Sequence, residues 1–509
     1  MRPLFCSLLL LAGCYDPKPP SGSYLCGAGD ACPSHLTCEC GQCVTDKDDA
    51  ACSFTIAATS AVDGALSVEE HEQFSVAVQA LNARGTPALH FGGTATLSST
   101  WGDVCVGTGG CTTSPDEVTL SGGTGMATIQ LNRETNPPLS AIVRASFGSN
   151  VGTSMEKITV HRAKATRAPL PLVLPATPQA PFGFATSSIG APYVVKDANG
   201  WSMYFVGGHD RTLAGFTLGA GVATSTNGMD FVSPVKLFDD SLADASTQFG
   251  AVSAYVHGGR TTLFGARGAI SADFASAFVG FRTIVRADVA DAASFGTTPL
   301  FEVSKSGCDE CVAFDSPMVI PDPNPGLTGG GVDSQVMFFA AAQMTDTGFE
   351  LAVRRATAPD GKTFTVEPGA ALENTFAETA LLSPRILVDG TTYKMWYSFA
   401  KIPSVSSGTT GAATVSPCNP LVHYQVGYAT SSDGYYWVRS STNSNRPTLK
   451  TSVATDLFEH GGSVLLGSVI ATDGNDPSNG ISLYYSPMTL VGTSCVPNGV
   501  GVATTGKGS

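Results

Sequence analysis

Residues 427–437 read Gly-Tyr-Ala-Thr-Ser-Ser-Asp-Gly-Tyr-Tyr-Trp, a strand pattern that runs into an Asp-Gly turn and ends on an aromatic side chain. Weaker copies of this pattern occupy residues 223–231, 287–295 and 356–364. Asp-Gly and Asn-Gly pairs between apolar runs are typical of tight turns between antiparallel strands. A pattern that recurs along a chain in this way predicts a repeat architecture built from one supersecondary unit.

The composition agrees with a chain of several β-rich domains. The 509 residues include 57 glycines, and 43% of the residues are hydrophobic while 14% are charged. No long run has an apolar period of about 3.6 residues, so we expect an all-β fold made of many short strands. The net charge of −14 disfavours electrostatic binding to nucleic acid or to anionic lipid.

Between residues 183 and 495 each repeat has three parts in the same order. An inner strand comes first, a strand rich in aromatic residues follows, and the strand with the Asp-Gly turn leads to a short outer strand. The inner strands are expected at residues 190–195, 250–253, 315–320 and 382–387, and a fifth, shorter unit begins at His460. Five units of about 65 to 70 residues, each with four strands, predict a five-bladed β-propeller. We expect residues 168–175 to close the last blade and residues 496–509 to form a flexible tail.

The N-terminus has the pattern of a secretory signal peptide. Residues 1–13 combine an early arginine, a short leucine-rich core and small residues, and the core is too short to span a bilayer. The sequence Leu-Ala-Gly-Cys at 11–14 resembles the lipobox of bacterial lipoproteins. That resemblance implies acylation of Cys14 and attachment to a bacterial membrane, with the outer membrane or cell surface as the expected location. An ordinary secreted protein is the alternative. Residues 14–25 are rich in proline and glycine and predict a flexible tether.

Twelve cysteines follow Cys14, an even number that an oxidising compartment favours. Six of them lie in residues 26–52, a segment too short and too polar for a hydrophobic core, so disulfides are expected to hold it together. These six are Cys26, Cys32, Cys38, Cys40, Cys43 and Cys52. The spacing of Cys38, Cys40 and Cys43 also suits a zinc knuckle, which is the alternative. The other six predict the bridges Cys105–Cys111, Cys308–Cys311 and Cys418–Cys495.

Residues 53–163 contain seven short segments of alternating character at a spacing of roughly ten residues, which predicts an antiparallel β-sandwich. The segments 93–99 and 125–129 resemble bacterial immunoglobulin-like domains, and this likeness implies a spacer or stalk. Residues 164–182 carry five prolines and predict a stiff linker to the propeller.

The fourth repeat resembles a known group of propellers. Residues 383–398 contain Ser-Pro-Arg-Ile-Leu, Asp-Gly and Tyr-Lys-Met-Trp-Tyr-Ser. Together with residues 427–437 they are similar to the blade signature of the five-bladed glycoside hydrolases: the arabinanase and xylosidase group, the invertase and levansucrase group, and the mannoside phosphorylases. The likeness covers most of residues 183–490. It implies that catalytic carboxylates stand at the inner ends of successive blades and face each other across a central funnel, at about 5 to 10 Å.

The inner strands supply few of the carboxylates that this resemblance implies. Aligning the first strand of each repeat places Gly190, Gly250, Asp315, Leu382 and His460 at the corresponding position. The glycines of repeats one and two leave the family's base and its pKa-tuning Asp without counterparts. The candidate catalytic residues are therefore Asp315, Glu378 just before repeat four, and Glu459. For Asp315 the alternative is a turn residue that caps the following Ser-Pro.

His460, Arg385 and Tyr435 are the candidate ligand-binding residues. The resemblance also implies a histidine near a metal in the central channel, and His460 falls where that residue would be; a structural, hydrogen-bonded histidine is the alternative. For Tyr435 the alternative is packing in the core. The loop Asp-Gly-Asn-Asp at 473–476 offers oxygen ligands suited to calcium, the one candidate cofactor.

Three functions are compatible with these patterns. The first is a membrane-anchored lipoprotein whose glycosidase-like propeller binds a glycan or another ligand without the family's standard catalysis. The second is an active glycoside hydrolase with relocated carboxylates that acts on extracellular polysaccharide. The third is a structural or adhesive propeller that binds a surface protein. The number of carboxylates facing the funnel separates the first two functions.

Overall fold

The computed structural model describes residues 24–59, 61, 65–106, 116–134, 140–154, 157–163, 165–174, 188–209, 217–237, 248–268, 281–289, 299–302, 308–345, 348–401, 422–440, 443, 447–450, 463–474, 476–491, 494–497 and 499–505. These residues form 33 β-strands and a few single-turn helices. Within them, no helix combines the length and the apolar character that crossing a bilayer requires.

A small disulfide-bonded module precedes the first large domain. Strands β1 (Thr37–Glu39) and β2 (Gln42–Val44) form a hairpin, and a 3₁₀ helix follows at Lys47–Asp49. The six cysteines are joined as Cys26–Cys38, Cys32–Cys43 and Cys40–Cys52. The structure thus has the predicted disulfide-rich module, and all six sulfur atoms are in disulfides rather than available to the alternative zinc ion.

The sandwich consists of ten strands. They are β3 (Ser53–Ala58), β4 (Ala65–Glu69), β5 (Phe74–Leu81), β6 (Gly93–Ser99), β7 (Val104–Val106), β8 (Glu117–Leu120), β9 (Thr124–Leu131), β10 (Val143–Phe147), β11 (Asn150–Ser154) and β12 (Lys157–His161). In β5 every second side chain is buried, as expected for a strand with one face on a core. Eight strands form one sheet in the order β7-β9-β5-β3-β11-β10-β6-β8, and β12 pairs with β4.

The predicted immunoglobulin-like sandwich is confirmed, but it is not wholly antiparallel. β11 pairs with β3 in parallel, and so does β12 with β4. Three of its strands, β4, β7 and β11, were not among the seven predicted segments. β7 and β11 are three and five residues long, and their partners supply the hydrogen bonds that hold them in the sheet. Side chains from across the domain, such as Phe54, Leu97 and Val160, belong to one hydrophobic core.

The remaining strands form five blades. β13 (Thr166–Leu174) comes first. Blade one is β14 (Ser188–Asp197), β15 (Gly200–His209), β16 (Thr217–Ser225) and β17 (Val232–Lys236); blade two is β18 (Gln248–His257), β19 (Arg260–Gly268), β20 (Phe281–Asp288) and β21 (Pro299–Glu302). Blade three is β22 (Cys311–Pro321), β23 (Gln335–Thr345), β24 (Gly348–Ala358) and β25 (Thr365–Val366); blade four is β26 (Ala380–Asp389), β27 (Thr392–Ala400), β28 (Gln425–Ser431) and β29 (Val438–Arg439). Blade five contains β30 (Val464–Ala471), β31 (Ile481–Val491), β32 (Ser494–Pro497) and β33 (Val500–Thr504), and short helices lie at Pro325–Thr328 (α1) and Pro477–Asn479.

The two ends of the propeller segment meet in blade five. β33 pairs with β31 on one side and with β13 on the other, so β13 is the outermost strand of this blade. The segment 168–175, which was expected to close the ring, overlaps β13. The prediction of a flexible tail from residue 496 is wrong for residues 500–504, because they form β33 and Val500, Val502 and Ala503 are fully buried.

The inner strands bend at a bulge near the propeller axis. In blade three Asp315 pairs with Ala340 and Met318 with Phe338, so two residues lie opposite Phe339. Blades one and four have the same irregularity before Tyr193 and before Arg385. The bulge residues Ala191, Ser316 and Ser383 have φ angles of 47° to 50°, and each precedes a proline. Non-glycine residues rarely adopt positive φ, so the surrounding sheet must hold them in place.

The Asp-Gly turn of residues 427–437 is held by the same hydrogen bonds in different blades. Ser431 Oγ accepts hydrogen bonds from the N–H groups of Asp433 and Gly434 at 3.2 and 2.8 Å. Asp433 Oδ1 accepts hydrogen bonds from the N–H groups of Tyr435 and Tyr436 at 2.8 and 2.9 Å. Ser225 and Asn227 repeat this arrangement in blade one.

In the three copies that the structure describes, the aromatic residue after the turn joins neighbouring blades. Trp437 of blade four packs edge-to-face on Phe338 of blade three, with ring centroids 5.7 Å apart. Phe364 of blade three packs on Phe264 of blade two in the same way at 6.1 Å. Phe231 of blade one packs on Tyr484 of blade five at 6.0 Å. The repeated sequence pattern is therefore a packing feature that fixes one blade against the next.

The sandwich contacts blade four through buried charged groups. Lys394 of β27 places its Nζ 2.9 Å from Asp389 Oδ2 and 3.6 Å from Oε1 of Glu70 in the sandwich. His71 Nε2 lies 3.0 Å from the same Asp389 oxygen, and the hydroxyl of Tyr428 donates to Glu70 at 3.0 Å. Burial opposes the ionisation of Asp389, but Lys394 and His71 outweigh it and hold the pKa of this carboxyl below its usual value.

Candidate ligand-binding site

The mouth of the propeller is defined here as the end at which the five inner strands β14, β18, β22, β26 and β30 begin. Asp389 is the last residue of β26, so the sandwich contacts the opposite end. Because the strands of each blade are antiparallel, the mouth also contains the end of β23, the start of β24 and the segment that precedes β26.

Asp315 lies at the bulge of the blade-three inner strand, close to the axis. Its carboxyl group is buried, and its Oδ1 has no hydrogen-bond partner among the described residues. Burial raises the pKa of Asp315 to about 6, although hydrogen bonds from Ser316 and the charge of Arg385 oppose the shift. This carboxyl therefore holds a proton at mildly acidic pH.

Arg385 of blade four is buried beside Asp315, near the propeller axis. Its Nη1 donates to the carbonyl oxygens of Ser316 at 3.2 Å and Pro384 at 2.8 Å, and its Nε donates to the carbonyl oxygen of Gly467 in blade five. The guanidinium carbon lies 5.5 Å from the ring centroid of Tyr193 in blade one. Burial lowers the pKa of Arg385 to about 10, which leaves it charged at neutral pH. One buried cation thus contacts four of the five blades.

The equivalent positions on the other inner strands carry no carboxylate among the described residues. Gly190 pairs with Val206, and Leu382 pairs with Ser398. Each lies directly before the bulge of its inner strand, as Asp315 does where it pairs with Ala340. In blade five the bulge falls at Gly467, and the residues before it are leucines. The inner strand of blade five begins only at Val464, so the register does not support the alignment of His460 with Asp315. Glu459 and His460 lie outside the described residues, and their roles stay predictions.

Glu378 is part of a buried network rather than a free carboxylate. The hydroxyl of Tyr397 donates to its Oε2 at 2.7 Å, and Arg439 Nε lies 2.5 Å from the same oxygen. Asn443 Nδ2 donates to the other oxygen at 2.9 Å. Both oxygens of Glu378 are therefore occupied, and Asp315 is not among the partners that hold it.

Tyr435 lies at the end of the propeller away from the mouth. Its hydroxyl donates to Oδ1 of Asp322, the residue that follows the last residue of β22, at 2.7 Å. The guanidinium of Arg355 lies 4.3 Å from the ring centroid. Packing and hydrogen bonding account for Tyr435, so the structure does not place this candidate with Asp315 and Arg385.

A groove that no sequence pattern predicted lies at the mouth between blades three and four. It has a volume of about 550 Å³, within the range of small-molecule sites. Glu350, Arg354, Asn374 and the strongly exposed Phe376 are among the residues that line it. The available signal was an aromatic residue in the polar segment Glu-Asn-Thr-Phe at 373–376, directly before an inner strand.

The remaining predicted sites have structural roles where they are described. Cys308 and Cys311 form a disulfide. Cys105 is disulfide-bonded, while Cys111 and Cys418 lie outside the described residues, as does the side chain of Cys495. At the candidate calcium loop, Asp473 Oδ1 accepts a hydrogen bond from the N–H of Asp476 at 2.9 Å, so this carboxylate already caps its own turn.

Solved structures that match the chain include glycoside hydrolases. One belongs to work on the GH130 family of mannoside phosphorylases, which contains glycoside hydrolases that target β-1,2 mannosidic linkages in Candida mannan. This structure has 13% identity and a TM-score of 0.47, and the match covers 68% of this chain and 94% of that chain. A glycosyl hydrolase from Bacteroides ovatus has 13% identity, a TM-score of 0.45 and coverages of 68% and 94%. A thermostable family-43 glycoside hydrolase has 16% identity, a TM-score of 0.42 and coverages of 65% and 96%. No protein-family model and no curated protein matches the chain.

The strand pairing itself defines the class: an all-β chain with a five-bladed propeller, preceded by an immunoglobulin-like sandwich and a disulfide-rich module. The predicted fold class is confirmed. The likeness to the solved structures is a likeness of fold, and the mannan linkage is a property of the GH130 proteins alone.

Proposed function

We propose that this chain is a bacterial lipoprotein, anchored through acylated Cys14, whose glycosidase-like propeller binds an extracytoplasmic glycan without hydrolysing it. The observation that carries this proposal is the position of Arg385. Glycoside hydrolysis passes through a transition state that resembles a positively charged oxocarbenium ion and uses two carboxyl groups. A buried guanidinium beside Asp315 opposes that charge, and the described inner strands offer no second carboxylate at the positions equivalent to Asp315.

The orientation of the domains supports presentation of a ligand site away from the anchor. The sandwich contacts blade four at the end of β26, so the mouth lies at the other end of the propeller. An N-terminal anchor followed by a tether, a module and a sandwich would hold the mouth away from the membrane. The lipid anchor and the glycan are parts of the proposal that rest on the sequence patterns.

A binding and turnover experiment tests the glycan proposal. The full-length protein, purified in detergent, is incubated with arabinan, levan and yeast mannan, and both retention on the immobilised polysaccharide and release of reducing sugar are measured. We expect retention on at least one polysaccharide with no release of sugar. Failure to retain any of them would favour the protein-binding alternative.

Active hydrolysis is the second candidate, because the raised pKa of Asp315 suits a general acid. This candidate requires a partner carboxylate outside the described residues, and Glu459 is the predicted one. Sugar release that both Asp315→Asn and Glu459→Gln abolish would replace the binding proposal with this one.

The anchor is tested separately. In a bacterial host supplied with an alkynyl fatty acid, the wild-type protein should incorporate the label and sediment with membranes. The Cys14→Ser variant should lose both properties. Labelling that survives in this variant would contradict acylation at Cys14.

A further inference from the structure

The groove at the mouth between blades three and four has walls from two different blades. One wall is the end of the β23–β24 hairpin, where Gln343 pairs with Glu350. The other wall is the segment 373–379 that precedes β26. Both walls are attached to the regular strands of their blades, so the groove is already formed without a ligand.

Phe376 gives the groove an exposed aromatic surface. The residue is 86% exposed, although its apolar ring would be expected to be buried in a core. Lys401 Nζ lies 4.4 Å from the ring centroid and is its one ring partner among the described residues. An exposed aromatic ring beside polar groups suits a ligand that has both an apolar face and hydroxyl groups.

The floor of the groove has a fixed arginine with an unused donor. Arg354 is buried, and its Nη2 donates to Glu310 and to Gln343, the latter at 2.8 Å. Glu310 lies in the four-residue loop that the Cys308–Cys311 disulfide closes. The Nε of Arg354 is buried and has no hydrogen-bond partner among the described residues.

A free acceptor complements this donor. The Oδ1 of Asn374 is also buried and has no partner among the described residues, while its Nδ2 donates to Glu350 Oε2 at 3.4 Å. Buried polar groups without partners are costly, so such a pair marks a place where a ligand or ordered water completes the hydrogen bonding. Hydroxyl groups donate and accept, and they can satisfy both atoms.

The charges around the groove select among hydroxyl-rich ligands. Glu350 and Glu373 line it, and the charge of Arg354 is already compensated by Glu310. Lys401 lies beside Phe376, and Arg439 donates to the backbone carbonyl oxygen of Glu373 but is already paired with Glu378. An anionic ligand would meet two carboxylates and one lysine, so an uncharged ligand fits better.

We propose that this groove binds an uncharged sugar ring, which packs on Phe376 while its hydroxyl groups bond to Arg354 Nε and Asn374 Oδ1. This inference rests on the proposed function, since it names the site and the class of glycan. It places the glycan beside the axis, between two blades, and not at the Arg385 position.

Isothermal titration of the full-length protein in detergent tests the inference. The probes are mannohexaose, arabinohexaose and an inulin-type fructo-oligosaccharide, with hexagalacturonate as the acidic counterpart. The test variant is Phe376→Ala, and Phe376→Tyr keeps an aromatic ring. The matched control is Tyr436→Ala, because Tyr436 is also strongly exposed, at 82%, but follows the Asp-Gly turn at the opposite end of the propeller.

The expected result is binding of at least one uncharged oligosaccharide that Phe376→Ala weakens about tenfold. Phe376→Tyr and Tyr436→Ala should leave the affinity within a factor of about two of wild type. Unchanged affinity in Phe376→Ala would overturn the groove while leaving the proposed function intact. Tighter binding of hexagalacturonate than of every uncharged probe would overturn the uncharged class. Absence of binding to all four probes, together with no retention on the polysaccharides, would overturn the proposed function and this inference with it.

Discussion

Replacing Lys394 by methionine should weaken both the propeller and its attachment to the sandwich. Lys394 is buried, with 3% of its side chain exposed, and its ammonium group lies between Asp389 of blade four and Glu70 of the sandwich. The negative charges on both sides raise its pKa, although burial alone would lower it. Lys394→Met keeps a side chain of similar length but leaves two buried carboxylates without their cation.

The geometry sets the size of the effect. At an effective dielectric constant of about 20, the separations of 2.9 and 3.6 Å correspond to about 6 and about 5 kcal/mol of attraction. Removing the ammonium also removes its desolvation penalty, which offsets a large part of this sum. Breaking a buried pair by deleting one partner costs about 3–5 kcal/mol in measured cases, and we expect a value in that range.

Urea unfolding of the full-length protein at pH 7 measures this effect. The unfolding transitions followed by intrinsic fluorescence and by proteolysis of the sandwich should both move to a lower urea concentration in Lys394→Met. The control Lys362→Met alters an exposed lysine whose ammonium group does not bridge the domains, and it should change the free energy of unfolding by less than about 0.5 kcal/mol. The triple variant Lys394→Met, Glu70→Gln, Asp389→Asn should recover part of the loss because it removes the uncompensated charges. A cost below about 1 kcal/mol for Lys394→Met would show that Lys394 does not stabilise the contact between the two carboxylates.

Three further predictions concern the propeller. Burial raises the pKa of Asp315 from 3.8 to about 6, so between these values the folded state keeps a proton that the unfolded state releases. The free energy of unfolding should therefore fall by about 3 kcal/mol as the pH rises from about 4 to about 7. Asp315→Asn should remove this pH dependence of the free energy of unfolding, which urea titrations at both pH values measure. A variant with the same pH dependence as wild type would count against the prediction. Gly434→Ala should lower the melting temperature more than Gly369→Ala, because both have positive φ but only at Gly434 would the new Cβ lie 2.6 Å from Pro323 Cγ. Deleting residues 500–509 removes the strand between β13 and β31 and should give aggregated protein in size-exclusion chromatography, whereas a monodisperse product would show that β33 is dispensable.

Much of the fold could be predicted from the sequence because its signals are local. The Asp-Gly turn of residues 427–437 needs only side chains within a few residues of one another, as the hydrogen bonds of Ser431 and Asp433 show. Local patterns did not predict the structure of the C-terminus. Residues 500–504 look like the end of a flexible tail, and they become a buried strand only because β13 and β31 provide partners on both sides.

The candidate site was less predictable, because its residues come from different blades. The sequence indicated Asp315 and Arg385 individually, but not that Arg385 would donate to carbonyl oxygens of blades three and five. Glu378 looked like a free carboxylate before a strand, and the contact with Asn443 and Arg439 appears only when blade four is assembled. The groove beside Phe376 depends on how far apart two blades stand, which no local pattern encodes.

The repeat, the all-β class and the disulfide-rich module could be recognised from residue patterns, because turns, alternating strands and closely spaced cysteines act over short distances along the chain. The role of the repeat became apparent only in the assembled propeller. The eleven residues at 427–437 carry the repeated pattern, and their aromatic end packs one blade against the next. The chemistry lies elsewhere, at the axis and the mouth, where side chains far apart in sequence are brought together by closure of the ring.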